Sequence, residues 1–436
     1  MSPYVTRRKR ISHDVVSICD LYSVWVDWRY IGYYNSISSS KKCEKEKKKK
    51  IGEYMKKICI FSAQYLPHLG GVERYTYNLA TELYKQGNQI VIVTSNVGGL
   101  KTYEKKDGIE IYRIPCFSLM NGRYPFLKPD KTFRKIHRHL LKTKFDLILI
   151  NTRFYPHSVY GTILARKQKT HCIMVDHGTS HMTVHNPIGD FVEQSVEHFL
   201  TMLDKINCKE YYGVSEACTE WLKHFHIKAK GVLYNAIDLN KIEEIKAESG
   251  DNYRKKYNIP EDGIVVSFTG RLLKEKGILQ LIEGIKQLRE EGHPVYLLIA
   301  GDGDEEKTIQ AKADEGIIPL GRLEFEKIIT MLQQTDIFCL PSDSEGFSTS
   351  VLEAAACNCY VITTERGGSK EMLISKDYGM IIKDNDTETV KKALEDVIYK
   401  KEYREKATRN TYERLKQNYT WEIVAKQVYN IACQIE

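Results

Sequence analysis

The sequence predicts an α/β protein built as two doubly wound domains that face each other across a cleft. Three observations lead there. At 436 residues the chain is longer than one hydrophobic core usually covers. From Ile58 onward, short apolar runs alternate with amphipathic helical stretches, the pattern of βα units laid on a parallel sheet. The alternation breaks in a Lys- and Glu-rich stretch after Tyr234-Asn235-Ala236-Ile237-Asp238, near 238–252, and then begins again.

The first series reads as strands 58–62, 89–94, 109–114, 146–150, 171–176 and 211–214 with helices in the gaps. In the helix behind Gly70-Gly71, the residues Val72, Tyr75, Leu79 and Leu83 recur every three or four positions, the stripe of a helix lying on a sheet. The second series reads as strands 264–269, 295–300, 317–320, 336–340, 359–363 and 379–382. A helix over 276–290 carries Ile278, Leu281, Ile282, Ile285 and Leu288 as its buried stripe. In open α/β sheets ligands bind beyond the carboxyl ends of strands, so the loops after these runs are where chemistry is expected.

Residues 1–54 show no sustained period and end in a lysine-rich run, so this extension is expected to be disordered or non-native. The pattern changes at Met55, which reads as the native start. Gly52-Glu53-Tyr54 can be encoded as a purine-rich ribosome-binding sequence just upstream of it. A basic arm for anionic membranes is the competing reading. Residues 1–57 hold 14 Lys and Arg against 6 Asp and Glu, which accounts for the whole formal charge of +8; the remaining 379 residues balance at 51 against 51. Nucleic acid is therefore not an expected partner. The eleven cysteines lack metal-ligand spacing and read as reduced, packed thiols, including the close pair Cys357 and Cys359. No apolar run reaches the 18 residues of a membrane span, which points to a cytoplasmic protein.

The most informative segment is Ser344-Glu345-Gly346-Phe347-Ser348-Thr349-Ser350-Val351-Leu352-Glu353, after the strand 336–340. Glu345 lies in the loop and Glu353 about a turn into the following helix. Gly346 permits close backbone approach, and the helix start near Ser348 offers partial positive charge to a phosphate. Carboxylates so placed can accept from several hydroxyls, as a sugar or a ribose presents. An N-capped helix with one solvent-facing acid is the plainer alternative. At the end of strand 264–269, Gly270-Arg271 and Lys276-Gly277 supply a planar fork and a point charge that suit a diphosphate. Cations there stabilise a leaving diphosphate without a metal. Gly70-Gly71 between strand and helix allows close approach of backbone to ligand. His177 follows the strand 171–176 and so points to the same cleft, with Asp176 or His181 as alternative functional neighbours. Asp302-Gly303-Asp304 imitates a metal-chelating pair but reads as a βα loop.

As a set, these residues resemble the family 4 retaining glycosyltransferases of GT-B fold. The resemblance runs from about Met55 to the C-terminus through the Gly-Gly loop, His177-Gly178, Asn235-Ala236-Ile237-Asp238, Gly270-Arg271 with Lys276-Gly277, Gly301-Asp302-Gly303, and the Glu-X7-Glu of Glu345 and Glu353. It implies two Rossmann-like domains, 55–240 for the acceptor and 241–416 for the nucleotide-diphosphate sugar. A last helix, 417–436, capped by Thr420, crosses back to the first. Arg271 and Lys276 would bind the donor diphosphate and Glu353 the ribose. Glu345, with the amides of Gly346, Phe347 and Ser348, would hold the transferred sugar; His177 would contact its reacting face and Gly71 the phosphate side. The resemblance also implies retention and no metal or other cofactor, the nucleotide sugar being a substrate. Ala236 departs from the family's usual Gly.

The segment Asn121 to Lys144 combines Arg123, Lys128, Lys131, Arg134, Lys135, Arg138 and Lys142 with Tyr124, Phe126 and Phe133. It reads either as an anionic-membrane dock, placing the protein at the inner face of the cell membrane with a lipid-linked acceptor, or as a basic helix covering the sheet. A glycan is the other acceptor class. Rival functions are another GT-B enzyme, an epimerase or phosphorylase, and a non-catalytic sugar-nucleotide sensor.

Overall fold

A computed structural model describes residues 55–68, 70–119, 124–181, 186–248 and 250–434. The chain divides into two units, Met1–Tyr54 and Met55–Glu436. The extension 1–54, like Asn121 and Arg123, lies outside the described residues.

The first sheet has nine strands: β1 (Lys57–Ser62), β2 (Gln89–Asn96), β3 (Tyr103–Lys106), β4 (Ile109–Leu119), β5 (Tyr124–Leu127), β6 (Leu147–Asn151), β7 (His171–Asp176), β8 (Glu210–Gly213) and β9 (Gly231–Val232). Their order is β3-β4-β2-β1-β6-β7-β8-β9, with β5 on β4. All pairings are parallel except those of β3 and β5 with β4. The second sheet holds β10 (Ile264–Thr269), β11 (Val295–Ala300), β12 (Ile317–Gly321), β13 (Ile337–Leu340), β14 (Tyr360–Thr364) and β15 (Met380–Ile382), in the order β12-β11-β10-β13-β14-β15.

Side-chain alternation along the strands explains two-sided burial. Ile58 and Ile60 join a core with Tyr75, Leu79 and Leu83, while Cys59 and Phe61 join the opposite core with Ile136, Leu140 and Leu164. Each sheet also reverses its winding direction once, between β1 and β6 and between β10 and β13. Crevices for ligands form at such reversals, beyond the carboxyl ends of the strands.

Three details differ from the sequence reading. The strands β3, β5 and β9 were not foreseen. The expected helix 276–290 begins only at Ile278, after a tight turn over Lys274–Lys276. Thr420 occupies the cap position of the helix Trp421–Cys433, but its side chain makes no capping bond. The backbone carries that junction instead: Ile237 N–H donates to Tyr419 O at 3.1 Å and Trp421 N–H to Ile237 O at 3.2 Å. Trp421, Val424, Ala425 and Val428 then pack into the core of the first sheet.

Candidate functional site

The charged half of the site grows from the loops after β10 and β13. Gly277 sits at φ 69°, and a Cβ there would fall 2.0 Å from Pro341 O, so the two loops can meet only at a glycine. This contact delivers Lys276: its Nζ donates to Glu345 Oε1 at 2.7 Å and to Ser344 O at 3.1 Å. Asp343 N–H adds a 2.7 Å bond to Glu275 O. The pair is largely shielded, the two side chains being 13% and 15% exposed. Arg271 is exposed on the same loop and makes no side-chain ion pair among the described residues, which leaves its guanidinium available to an anion.

Glu353 lies one turn into the helix Thr349–Ala356 and is buried. Burial pushes its carboxyl up to about 7, and Arg74, from the helix Gly71–Lys85, opposes that shift. Ser348 takes the cap position of the same helix without a side-chain capping bond. The helix is therefore not closed by its own cap, and its first-turn amides can serve a ligand.

The neutral half grows from the ends of β1, β6 and β7. His177, immediately after β7, has its Nε2 3.1 Å from Asn151 Oδ1, and Asn151 Nδ2 donates to Thr76 Oγ1 at 2.8 Å. Thr76 in turn donates to Val72 O at 2.8 Å. Thr76 therefore accepts from the Asn151 amide, whose oxygen must accept from an Nε2–H of His177. That tautomer leaves Nδ1 as an acceptor. Burial holds the imidazole down at about 3, so it stays neutral at pH 7. Tyr75 packs edge-on against the ring at 4.7 Å.

The two halves touch at Gly346, where a Cβ would fall 2.6 Å from His177 O. Thr179 Oγ1 donates to Glu345 O at 3.1 Å, and Asn235 Nδ2 to Phe347 O at 2.9 Å. The Phe347 ring lies between Tyr234 and Tyr419, at 5.7 and 5.2 Å, so it anchors the junction. His177, Lys276, Glu345, Gly346 and Phe347 thus come together. Gly71 stands at the start of its helix, where nothing lies within 4 Å of the position a Cβ would take. Asp176 is buried 3.6 Å from Arg153, with its carboxyl pushed up to about 6 mainly by burial. His181 is engaged by Glu197 instead. Asp302 lies 3.5 Å from Arg322, and its carbonyl accepts from Leu272 N–H at 2.7 Å, as a βα loop does.

Arg74, Thr76, Asn151 and Thr179 escaped the sequence reading. A signal existed only for Arg74 and Thr76, in the helix opened by the Gly-Gly loop.

Two doubly wound domains whose strand ends meet at a charged and a neutral cluster make up the GT-B architecture. The family comparisons agree. "Glycosyltransferase Family 4" matches residues 69–241 and "Glycosyl transferases group 1" residues 249–414. An uncharacterised glycosyltransferase of Methanocaldococcus jannaschii is 26% identical over 391 residues, 86% of this chain and 97% of that protein. The GPI3 subunit of phosphatidylinositol N-acetylglucosaminyltransferase from Saccharomyces cerevisiae is 27% identical over 72% of this chain and 69% of its own length. The putative teichuronic acid biosynthesis glycosyltransferase TuaC of Bacillus subtilis is 28% identical over 67% and 75%. Among solved structures, sucrose-phosphate synthase from Thermosynechococcus elongatus superposes with a TM-score of 0.66 at 17% identity, over 87% of this chain and 99% of that one. HepE of Anabaena, solved with UDP, gives 0.69 at 17% identity over 87% and 100%; with UDP-glucose it gives 0.66. The chain belongs to the group 1 glycosyltransferases of family 4 and is an enzyme.

Proposed function

We propose that the enzyme moves a hexosyl unit from a nucleotide-diphosphate sugar to a hydroxyl of a glycan or lipid-linked acceptor, with retention and without a metal at the diphosphate, in surface polysaccharide or glycolipid synthesis. The observation that carries this reading is the Lys276–Glu345 pair, held at the reversal of the second sheet against the loop that carries His177. A diphosphate arriving there draws Lys276 from Glu345, and Arg271 closes on it as a bidentate donor. Both cations then stabilise the charge that grows on the leaving group. Glu345 and the following amides hold the sugar. The ribose hydroxyls donate to Glu353, and the Nδ1 of neutral His177 accepts a sugar hydroxyl. Glu345 is assigned to holding the sugar in this reading, with no carboxylate assigned as a nucleophile, which is the arrangement of front-face departure and attack rather than double displacement. HepE, solved with UDP-glucose, supports the donor class.

The acceptor fits the first sheet's half. A cavity of about 550 Å³ lies beside the loop after β1, lined by Tyr65, Tyr77, Lys101, Glu104 and Arg113 among others. Aromatic faces with fixed charges suit a glycan. Relatives named for teichuronic acid and phosphatidylinositol support glycan and lipid acceptors. Among the described residues no helix is long and apolar enough to cross a membrane; in this proposal the protein meets a lipid acceptor as a peripheral protein at the cytoplasmic face. Arg134, Lys135 and Arg138 are exposed on the helix Lys131–Lys142, but Phe133 packs inward against Tyr160. The helix Pro187–Asn207 adds exposed Ile188, Phe191, Phe199 and Met202. Neutralising Arg134, Lys135 and Arg138 together should reduce sedimentation with anionic liposomes; unchanged sedimentation rejects the membrane role.

The test is an acceptor-dependent product assay with UDP-, GDP- and ADP-sugars, the product anomer being read by NMR. A retained anomer, at a rate unaffected by added Mg²⁺ or Mn²⁺, is expected. An inverted product, or a rate that requires the added ion through Asp302 and Asp304, rejects the reading.

A further inference from the structure

Three histidines from three separate elements converge beside the loop after β7. His181 lies in that loop, His198 on the helix Pro187–Asn207, and His224 in the turn Lys223–Phe225. The Nε2 of His224 is 3.2 Å from that of His181 and 3.3 Å from that of His198. One ligand atom from each histidine lies within 4.8 Å of the others. Tetrahedral zinc with bonds of about 2.0–2.1 Å to nitrogen requires nitrogen–nitrogen edges of about 3.3–3.4 Å. Two edges are already close to that length, and rotation of the exposed His198 side chain would close the third.

The surroundings orient two of the three rings. His181 Nδ1 lies 2.7 Å from Glu197 Oε2, and Glu197 Oε1 accepts from Arg153 Nη1 at 2.7 Å. With Nδ1–H donating to that carboxylate, His181 directs its Nε2 toward the other two rings, the arrangement of a metal-bound histidine backed by an acid. Trp221 stacks on His224, with ring centroids 4.8 Å apart and planes at 3°, and Phe225 packs edge-on against it at 4.9 Å. These contacts fix the ring's orientation.

We propose that His181, His198 and His224 form a site for a divalent first-row transition metal, zinc foremost, with one coordination position open to solvent. Imidazole ligands in tetrahedral disposition suit zinc, with copper and nickel as competitors. The ion would join the loop after β7 to the two helical segments beside it. That loop carries His177 and also Thr179, which holds Glu345 O, so the ion is structural and does not take part in transfer.

The untagged full chain, stripped of metal by chelator and dialysed, should bind one equivalent of Zn²⁺ by calorimetry. Co²⁺ should give the visible bands of a four-coordinate ion that Zn²⁺ abolishes, and Zn²⁺ should raise Tm by mass action. His198 and His224 are exposed, so His198→Ala and His224→Ala should fold, as circular dichroism would show, and lose the equivalent, the bands and the rise in Tm. Absence of stoichiometric binding in the wild type, or full binding in His224→Ala, overturns the proposal. So does loss of binding in His293→Ala alone, which would place the ion at the separate cluster of Glu291, His293 and Glu395.

Discussion

The two halves of the site use opposite physics. On the first sheet, His177, Asn151 and Thr76 form a chain of neutral hydrogen bonds, and burial keeps the imidazole uncharged. On the second, Lys276 and Glu345 form a charged pair across two loops. A buried neutral chain has one arrangement that satisfies all its members, so it orients. A lysine on a flexible stem can change partners when a stronger anion arrives, so the charged half responds. On the proposed reading, one half of the site is fixed before the donor binds, and the other is completed by it.

The sharpest way to break that contrast is to remove the charges. Lys276→Met and Glu345→Gln should each lower kcat by about 100-fold or more, the order of loss seen when one transition-state donor is removed. Because the two act as a pair, the double variant should be little worse than the poorer single one. Steady-state kinetics on the four enzymes decide this. Losses that simply multiply would mean that Lys276 and Glu345 work independently.

Next comes the seam between the halves. Gly346→Ala places a methyl 2.6 Å from His177 O, so backbone must yield. About 1–3 kcal/mol of stability should be lost by urea unfolding, with turnover falling as the loops separate. Gly71→Ala, where nothing lies within 4 Å of the new carbon, should leave stability nearly unchanged. Equal effects at the two glycines would show that the seam is not under steric constraint.

The same contrast explains what could be read from the sequence. Strands such as β1 and β10 announce themselves as apolar runs, and the paired cores follow from alternation along them. The edge strand β3, Tyr-Glu-Lys-Lys, is short and largely exposed, so it carries no apolar signal. The charged residues were legible because glycine-marked loops after strands flag them. Their pairing was not, since Lys276 and Glu345 are 69 residues apart and only the meeting of two loops at Gly277 joins them. Asn151 and Thr76 are ordinary polar residues at a strand end and on a helix, and nothing in the sequence shows that they set the tautomer of His177. The three convergent histidines lie on three elements, without the regular spacing that marks a metal motif.

The smallest expected effect on kcat belongs to Glu353, which tests whether its burial tunes donor affinity. Its carboxyl, pushed up to about 7 from 4.5 by burial, keeps a proton that the unfolded chain releases near its ordinary value. The native state thus binds more protons between those values. Stability of the donor-free enzyme should fall as pH rises from 4.5 to about 7, by about 3 kcal/mol at most. Donor binding should run the other way, because ribose hydroxyls donate best to the ionised carboxylate, which Arg74 on the opposite half favours. Donor affinity should therefore rise as pH passes through 7. Glu353→Gln should weaken donor binding by about tenfold, the loss of one charge-assisted bond, and flatten the pH profile while changing kcat far less than Glu345→Gln does. Calorimetric titration with the nucleotide diphosphate at pH 6 and 8 separates the cases. If the Gln variant keeps the wild-type slope, the pH dependence belongs to another group, and Glu353 is a buried structural acid.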